Sequence, residues 1–201
     1  METKVSEKNY NLSKVKLLPG GGIDAEYQIT EMVGGEPSVT DYKATVNRDI
    51  HPDLKDLFED LRPIVARVFG ITSFLSLTES GPGGIGLSDS QVKLCRNFAD
   101  ELVQKVDVRG VTWSGTAEKV GVVVTAVLET PNGLKTAINT PRIKLETISF
   151  GFEEELQEIT EAIRAEVFQF LFYGKQAQLS LFGGDDASKP AEDNPDDMLD
   201  E

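Results

Sequence analysis

Apolar residues alternate with polar ones in two regions of the chain and recur every third or fourth position in three others. Ile23, Ala25, Tyr27 and Ile29 alternate with polar neighbours, Gly34-Gly35 interrupts, and Tyr42, Ala44 and Val46 alternate again. That pattern predicts an antiparallel hairpin with one wet face. The strand-like character begins at Val15, and residues 1–12 are polar and expected to be flexible. After Pro52, the residues Leu54, Leu57, Phe58, Leu61, Val65 and Val68 repeat at helical spacing. They predict a helix over 52–69, with Pro63 as the place for a kink.

Residues 71–77 read as a strand, and Gly81-Pro82-Gly83-Gly84-Ile85-Gly86 as a flexible connector. Ser88 and Gln91 then stand at capping-box spacing ahead of Val92, Cys95, Phe98, Ala99 and Leu102, which share one face of a second helix. Strands resume over 108–113 and with Val120, Val122, Val124, Ala126 and Leu128. The turn Pro131-Asn132-Gly133 leads into Leu134, Thr136 and Ile138 as a further hairpin. A long helix opens on Glu153-Glu154-Glu155, where negative charge suits the helix dipole. It runs through Leu156, Ile159, Ile163, Val167, Phe170 and Leu171 to a stop at Gly174-Lys175.

Side by side, the halves follow one plan. Tyr27-Gln28-Ile29-Thr30, a Gly-Gly turn, a strand and a helix holding Leu61-Arg62 are answered by Val122-Val123-Val124-Thr125, an Asn-Gly turn, a strand and a helix holding Ile163-Arg164. The expectation is an α+β fold, with helices packed on one face of antiparallel strands and a tandem duplication as one origin of the matching order. Two hairpin-and-helix units sharing turns by chance is the other. Residues 13–105 form the first hairpin-plus-helices module and 106–175 the second. Residues 176–201 follow as a peptide and an acidic tail expected to be disordered.

Charge sharpens that division. The net charge of −14 is unevenly placed: the seventeen residues from Asp185 to Glu201 hold eight acids against Lys189, half of the excess. Because the body is acidic too, a broad electrostatic footprint for duplex DNA is not expected. No apolar run reaches the length of a membrane span and no secretory pattern opens the chain, so the expectation is a cytoplasmic protein without membrane association. One cysteine, Cys95, excludes an intrachain disulfide, and with one histidine, His51, no metal or other cofactor is expected. His51 reads as a helix cap or surface residue and Cys95 as a packed one. Gly81, Gly83 and Gly86 have dinucleotide-loop spacing, yet the capping signal at Ser88 comes after them and the strands around them are antiparallel, which argues for a connector.

The sharpest feature lies between the last helix and the acidic tail. Gln178-Leu179-Ser180-Leu181-Phe182 supplies, in order, an amide, an apolar side chain, a small residue, a leucine and a terminal aromatic. These five residues resemble the consensus clamp-binding motif of bacterial polymerases, mismatch-repair proteins and clamp-associated factors. The resemblance implies docking to the bacterial DNA polymerase sliding clamp, the glutamine hydrogen-bonding at one end of a groove while leucine and phenylalanine fill apolar subsites. The competing reading is an edge strand added to the body's own sheet. Met198-Leu199 among aspartates resembles the partner-recruiting tails of single-strand DNA-binding proteins, although here the chain ends Asp200-Glu201.

Aromatics on predicted strands, Tyr27, Tyr42 and Trp113, with Lys14, Lys16, Lys43 and Arg48 nearby in the pattern, make candidate nucleic-acid contacts. The expectation is a nonenzymatic, clamp-binding accessory protein of DNA replication, recombination or repair, bacterial or phage-encoded. The alternatives are a single-stranded DNA-binding or annealing protein, a clamp-blocking regulator, and, least supported, a magnesium-dependent nuclease.

Overall fold

A computed structural model describes residues 9–78, 86–115, 119–130, 132–146 and 151–175. Its strands are β1 (Tyr10–Leu17), β2 (Ile23–Val33), β3 (Glu36–Val46), β4 (Val106–Ser114), β5 (Gly121–Glu129), β6 (Lys135–Asn139) and β7 (Ile143–Lys144). Its α-helices are α1 (Pro52–Asp60), α2 (Arg62–Val68), α3 (Asp89–Gln104) and α4 (Glu153–Tyr173). The fold is α+β. One antiparallel sheet runs in the order β3-β2-β1-β4-β5-β6, with β7 pairing β5 after the chain leaves β6.

Local chemistry explains most boundaries. Gly34 and Gly35 both adopt positive φ, 63° and 91°. A two-residue hairpin turn requires this to match the twist of the flanking strands. His51 caps α1 by accepting the Asp53 amide at its Nδ1, and Pro52 occupies the first turn, where its missing N–H costs nothing. The α3 start carries the capping interaction that the sequence predicts, the Ser88 amide donating to Gln91 Oε1 at 2.9 Å. Gly174 ends α4 in the left-handed region.

Four expectations need correcting. Residues 10–12 belong to β1: Tyr10 is anchored against Tyr27, Phe168 and Phe172, which outweighs the polar residues before it. The helix over 52–69 is two, broken at Leu61, because Pro63 in the first turn of α2 cannot donate back into α1. Residues 73–78 form a 3-10 helix rather than a strand, with no sheet edge beside them to pair. The apolar face of α3 is only partly covered: Ala99 is buried, Val92, Cys95 and Leu102 are half-buried, and Phe98 is 52% exposed.

The two three-stranded meanders meet at β1 and β4. Lys14 pairs Thr112, Val15 pairs Val111 and Lys16 pairs Gly110. Half a turn about the Val15–Val111 pair therefore lays Lys14 on Gly110 and Lys16 on Thr112. Under the same half-turn an irregularity coincides: the β1–β2 register slips between Leu12 and Lys14, and the β4–β5 register slips between Val108 and Gly110. Ser13 and Arg109 are the extra residues of these two bulges, which increase local twist and re-aim side chains. Outward from the seam, Val15 pairs Ala25 and Val111 pairs Val124.

The helices lie on one face, and the halves share one core. Leu12, Val15, Ile23 and Ala25 join Val111, Val122 and Val124 beneath Phe58, Leu61 and Ile64 of α1–α2 and Ile163, Val167 and Phe170 of α4. Alternation leaves Lys14, Lys16, Asp24, Glu26 and Lys43 on the opposite, open face.

Candidate functional site

The candidate nucleic-acid residues do not all converge: Tyr27, Tyr42 and Lys43 line one 310 Å³ cleft, with Glu26 and Asp41, and the others lie apart from it. Lys14, Lys16 and Lys43 are on the open face, where the Lys14 ammonium meets Glu26 at 3.0 Å and Lys43 lies 3.6 Å from Asp24 and 3.7 Å from Glu26. Tyr27 and Tyr42 are on the helix side, stacked at 5.4 Å with 12° between their planes. The Arg48 guanidinium sits 5.6 Å from the Phe170 ring centre. Trp113 is 6% exposed and covered by Arg164, whose guanidinium lies 4.8 Å from the ring centre. Trp113 is thus a core residue with its face already occupied and offers no platform to a base. Gln178, Leu179, Ser180, Leu181 and Phe182 lie outside the described residues.

What the fold does assemble is a pair of matched clefts, one at each end of the β1–β4 seam. The first, 240 Å³, takes Leu17, Leu18 and Pro19 from the end of β1, Asp107, Val108 and Arg109 from the start of β4, and Arg62 from α2. The second, 590 Å³, takes Trp113, Ser114 and Gly115 from the end of β4, Asn11, Leu12 and Ser13 from the start of β1, and Arg164 from α4. The half-turn about Val15–Val111 carries the strand residues of one onto those of the other in register. The arginines correspond as well, in the same Leu-Arg and Ile-Arg pairs that the sequence comparison brings together.

The two arginines are satisfied differently. Arg62 donates to Gln104 Oε1 and to Glu59 Oε1, each at 3.0 Å, so α3 and α1 close its terminal nitrogens. Arg164 makes no hydrogen bond or ion pair among the described residues beyond its contact with the Trp113 face. In both, Nε is buried without a hydrogen-bond partner. Burial pulls the Arg164 guanidinium below its ordinary range, opposed by Glu161 and Tyr10. A guanidinium starts so high that it keeps its proton at neutral pH.

The lining chemistry differs in the same direction. The first cleft holds Glu59 and Asp107 with Lys55, Arg62 and Arg109; Arg109 pairs with Asp107 and Arg62 with Glu59. The second contains no carboxylate: Arg164 is its one charged residue, beside Asn11, Ser13, Gln28 and Ser114. On the far side of the Arg164–Trp113 pair lies a smaller, 270 Å³ cleft with Glu146 and Glu161. Arg142 braces the β4–β5 turn. Its Nε donates to Ser114 Oγ at 2.8 Å, and one terminal nitrogen donates to the carbonyls of Ser114 at 3.0 Å and Lys119 at 2.6 Å.

Sequence reasoning noticed Arg164 only as a marker of repetition and passed over Arg142. The available signal was an arginine inside the apolar stripe of a helix, next to Ile163. Among the described residues no group of histidine, cysteine and carboxylate side chains could hold a metal ion, and no helix is long and apolar enough to cross a membrane. No protein-family model, curated protein or solved structure matches the chain.

Proposed function

We propose that this protein is a nonenzymatic accessory factor of DNA replication, recombination or repair that is tethered to the bacterial sliding clamp by Gln178-Leu179-Ser180-Leu181-Phe182. The pentapeptide carries the reading. Its place in the chain supports it. The body's last helix stops at Gly174, and Lys175 ties that end down, donating to Asp53 Oδ2 at 2.8 Å and to Glu166 at 2.7 Å and 2.9 Å. The motif begins three residues after this anchor.

In this mechanism the glutamine fixes register and the leucine and phenylalanine supply the buried area. Linking body to clamp then raises the body's local concentration at the fork without strong intrinsic affinity for DNA. The open face suits a body delivered this way, because its lysines are offset by Asp24 and Glu26.

Calorimetric titration of bacterial sliding clamp with the full chain tests the reading, alongside a variant carrying Gln178→Ala, Leu181→Ala and Phe182→Ala. Binding in the micromolar range or tighter, lost in the variant, is the expected result. Absence of binding by the intact chain overturns it. Primer extension with clamp-bound protein then separates accessory from blocking factor, since a blocker halts a polymerase that needs the same groove.

A further inference from the structure

We infer that the cleft beside Arg164 is a phosphate-binding site, suited to the phosphoryl oxygens of a nucleotide or of a single nucleic-acid strand. The inference is independent of clamp binding and uses other residues.

Three observations carry it. First, the terminal nitrogens of Arg164 have no acceptor among the described residues, and the Trp113 ring supports the half-buried guanidinium from below. Such a fork is open to a charge-assisted bond with a ligand that brings acceptors. Second, the cleft's own lining holds no carboxylate, in a chain with 34 acidic residues and 20 basic ones; Glu161, which acts on Arg164 electrostatically, lines the neighbouring cleft. The Asn11 side chain has no partner among the described residues, and the Ser114 hydroxyl, which donates to the Gly121 carbonyl at 3.5 Å, accepts from Arg142 Nε at 2.8 Å and so sits next to a second positive charge. Third, the fold supplies its own control. In the matched cleft Glu59 and Gln104 occupy the arginine fork.

Phosphate suits the Arg164 cleft better than carboxylate does. A carboxylate presents two acceptor oxygens, which one arginine fork can take up. A tetrahedral phosphoryl group presents more acceptor oxygens, enough to engage the fork and the Asn11 amide together. The covered face of Trp113 rules out base stacking there, so recognition falls on phosphate rather than on sequence.

Trp113 is the chain's one tryptophan, which makes the site its own reporter. The experiment titrates the full chain at constant ionic strength with inorganic phosphate, thymidine monophosphate, a short oligothymidylate, and an acidic peptide of the sequence of residues 185–201. Trp113 emission and calorimetry are read in parallel. Saturable binding of the phosphate probes is expected, weakened at least about tenfold in Arg164→Gln, the loss of a charge-assisted pair. Arg62→Gln should leave binding unchanged, and thermal melting confirms that both variants are folded. Tighter binding of the oligothymidylate than of the monophosphate assigns the site to a strand, and equal binding assigns it to a free phosphate or nucleotide. No saturable binding, binding that survives in folded Arg164→Gln, or a preference for the acidic peptide overturns the inference.

Discussion

Arg62 and Arg164 hold matching places in matching clefts, yet one is closed by its own chain and the other is not. The backbone that frames them is nearly the same, down to the bulges at Ser13 and Arg109. The difference comes from what each half adds. The first half inserts α3, whose Gln104 reaches Arg62, and places Glu59 one turn before it on the helix side. The described residues of the second half include no such helix, and there the arginine stacks on Trp113, where the matched residue is Leu17. A two-fold frame can thus hold one cleft as structure and leave its mate available for binding, and side chains at a few positions decide which is which.

The turns below the clefts differ as well, and the largest expected effect separates them. Gly22 and Gly121 correspond, each at the entrance to the second strand of its meander. A methyl group on Gly22 would meet the backbone carbonyl of Val46, whereas one on Gly121 would meet the Arg142 side chain. Backbone cannot step aside and an exposed arginine can. Gly22→Ala should therefore cost about 3 kcal/mol, the upper part of the range for overpacking, and Gly121→Ala about 1 kcal/mol. Denaturant unfolding of the two variants reads the gap, and equal losses would break the correspondence.

Next comes the brace itself. The turn before β2 closes with backbone bonds, Leu18 N to Gly22 O at 2.8 Å and Gly21 N to Leu18 O at 3.0 Å, and the described residues flanking the turn before β5 are joined by Arg142. Arg142→Ala should cost about 1 kcal/mol, since its bonds are exposed. Hydrogen exchange should quicken at residues 119–121 and stay unchanged at 18–22.

Tyr10 gives a gain rather than a loss. Its hydroxyl is buried without a partner, and burial with the neighbouring Tyr27 holds the phenol well above its ordinary range. The matched position in the second meander is Val106, which has no polar atom to satisfy. Tyr10→Phe keeps the ring contacts and removes the orphan oxygen, so it should stabilise by up to about 1 kcal/mol.

The smallest effect concerns the exit from α4. The Lys175 hydrogen bond holds the Asp53 carboxyl below its ordinary range, and the Asp53 and Glu166 carboxylates hold Lys175 above its own. A lowered carboxyl pKa contributes stability present above the unfolded value, about 3.9, and lost as pH falls through the folded one. A raised lysine pKa contributes stability present below about 10.4 and lost as pH rises through the folded value. The melting temperature of the native chain should thus fall slightly more steeply than that of Lys175→Met at both ends of the pH range and run parallel to it between them. All these groups meet solvent, so the difference is small.

Much of the fold was legible because period and punctuation agreed. Alternation fixed β2, β3 and β5, glycine and Asn-Gly marked their turns, and the Ser88–Gln91 spacing placed the start of α3. The misreadings share a cause, which is that tertiary neighbours decided. Tyr10 lies in a polar stretch and is a strand residue only because α4 lays Phe168 and Phe172 on it. Residues 73–78 have strand composition but meet α3 instead of a sheet. Phe98 has helical spacing yet faces largely outward. The clefts were less legible than the elements, because they depend on which strands pair. Nothing local in Leu17 or Trp113 says that β1 and β4 are neighbours, or that Trp113 lies under an arginine. The one trace was the Leu61-Arg62 and Ile163-Arg164 echo.

The seam between β1 and β4 also has a kinetic consequence. Each meander is built from contacts close in sequence and can form early, but Val15 and Val111 must find each other across a long intervening chain. During synthesis the first meander leaves the ribosome well before β4 exists. Until then β1 is an open edge, in the middle of what will become the sheet, and that edge can accept a stranger's strand. The strand that finally covers it brings the second meander, so closing the seam is the step at which the two halves become one protein.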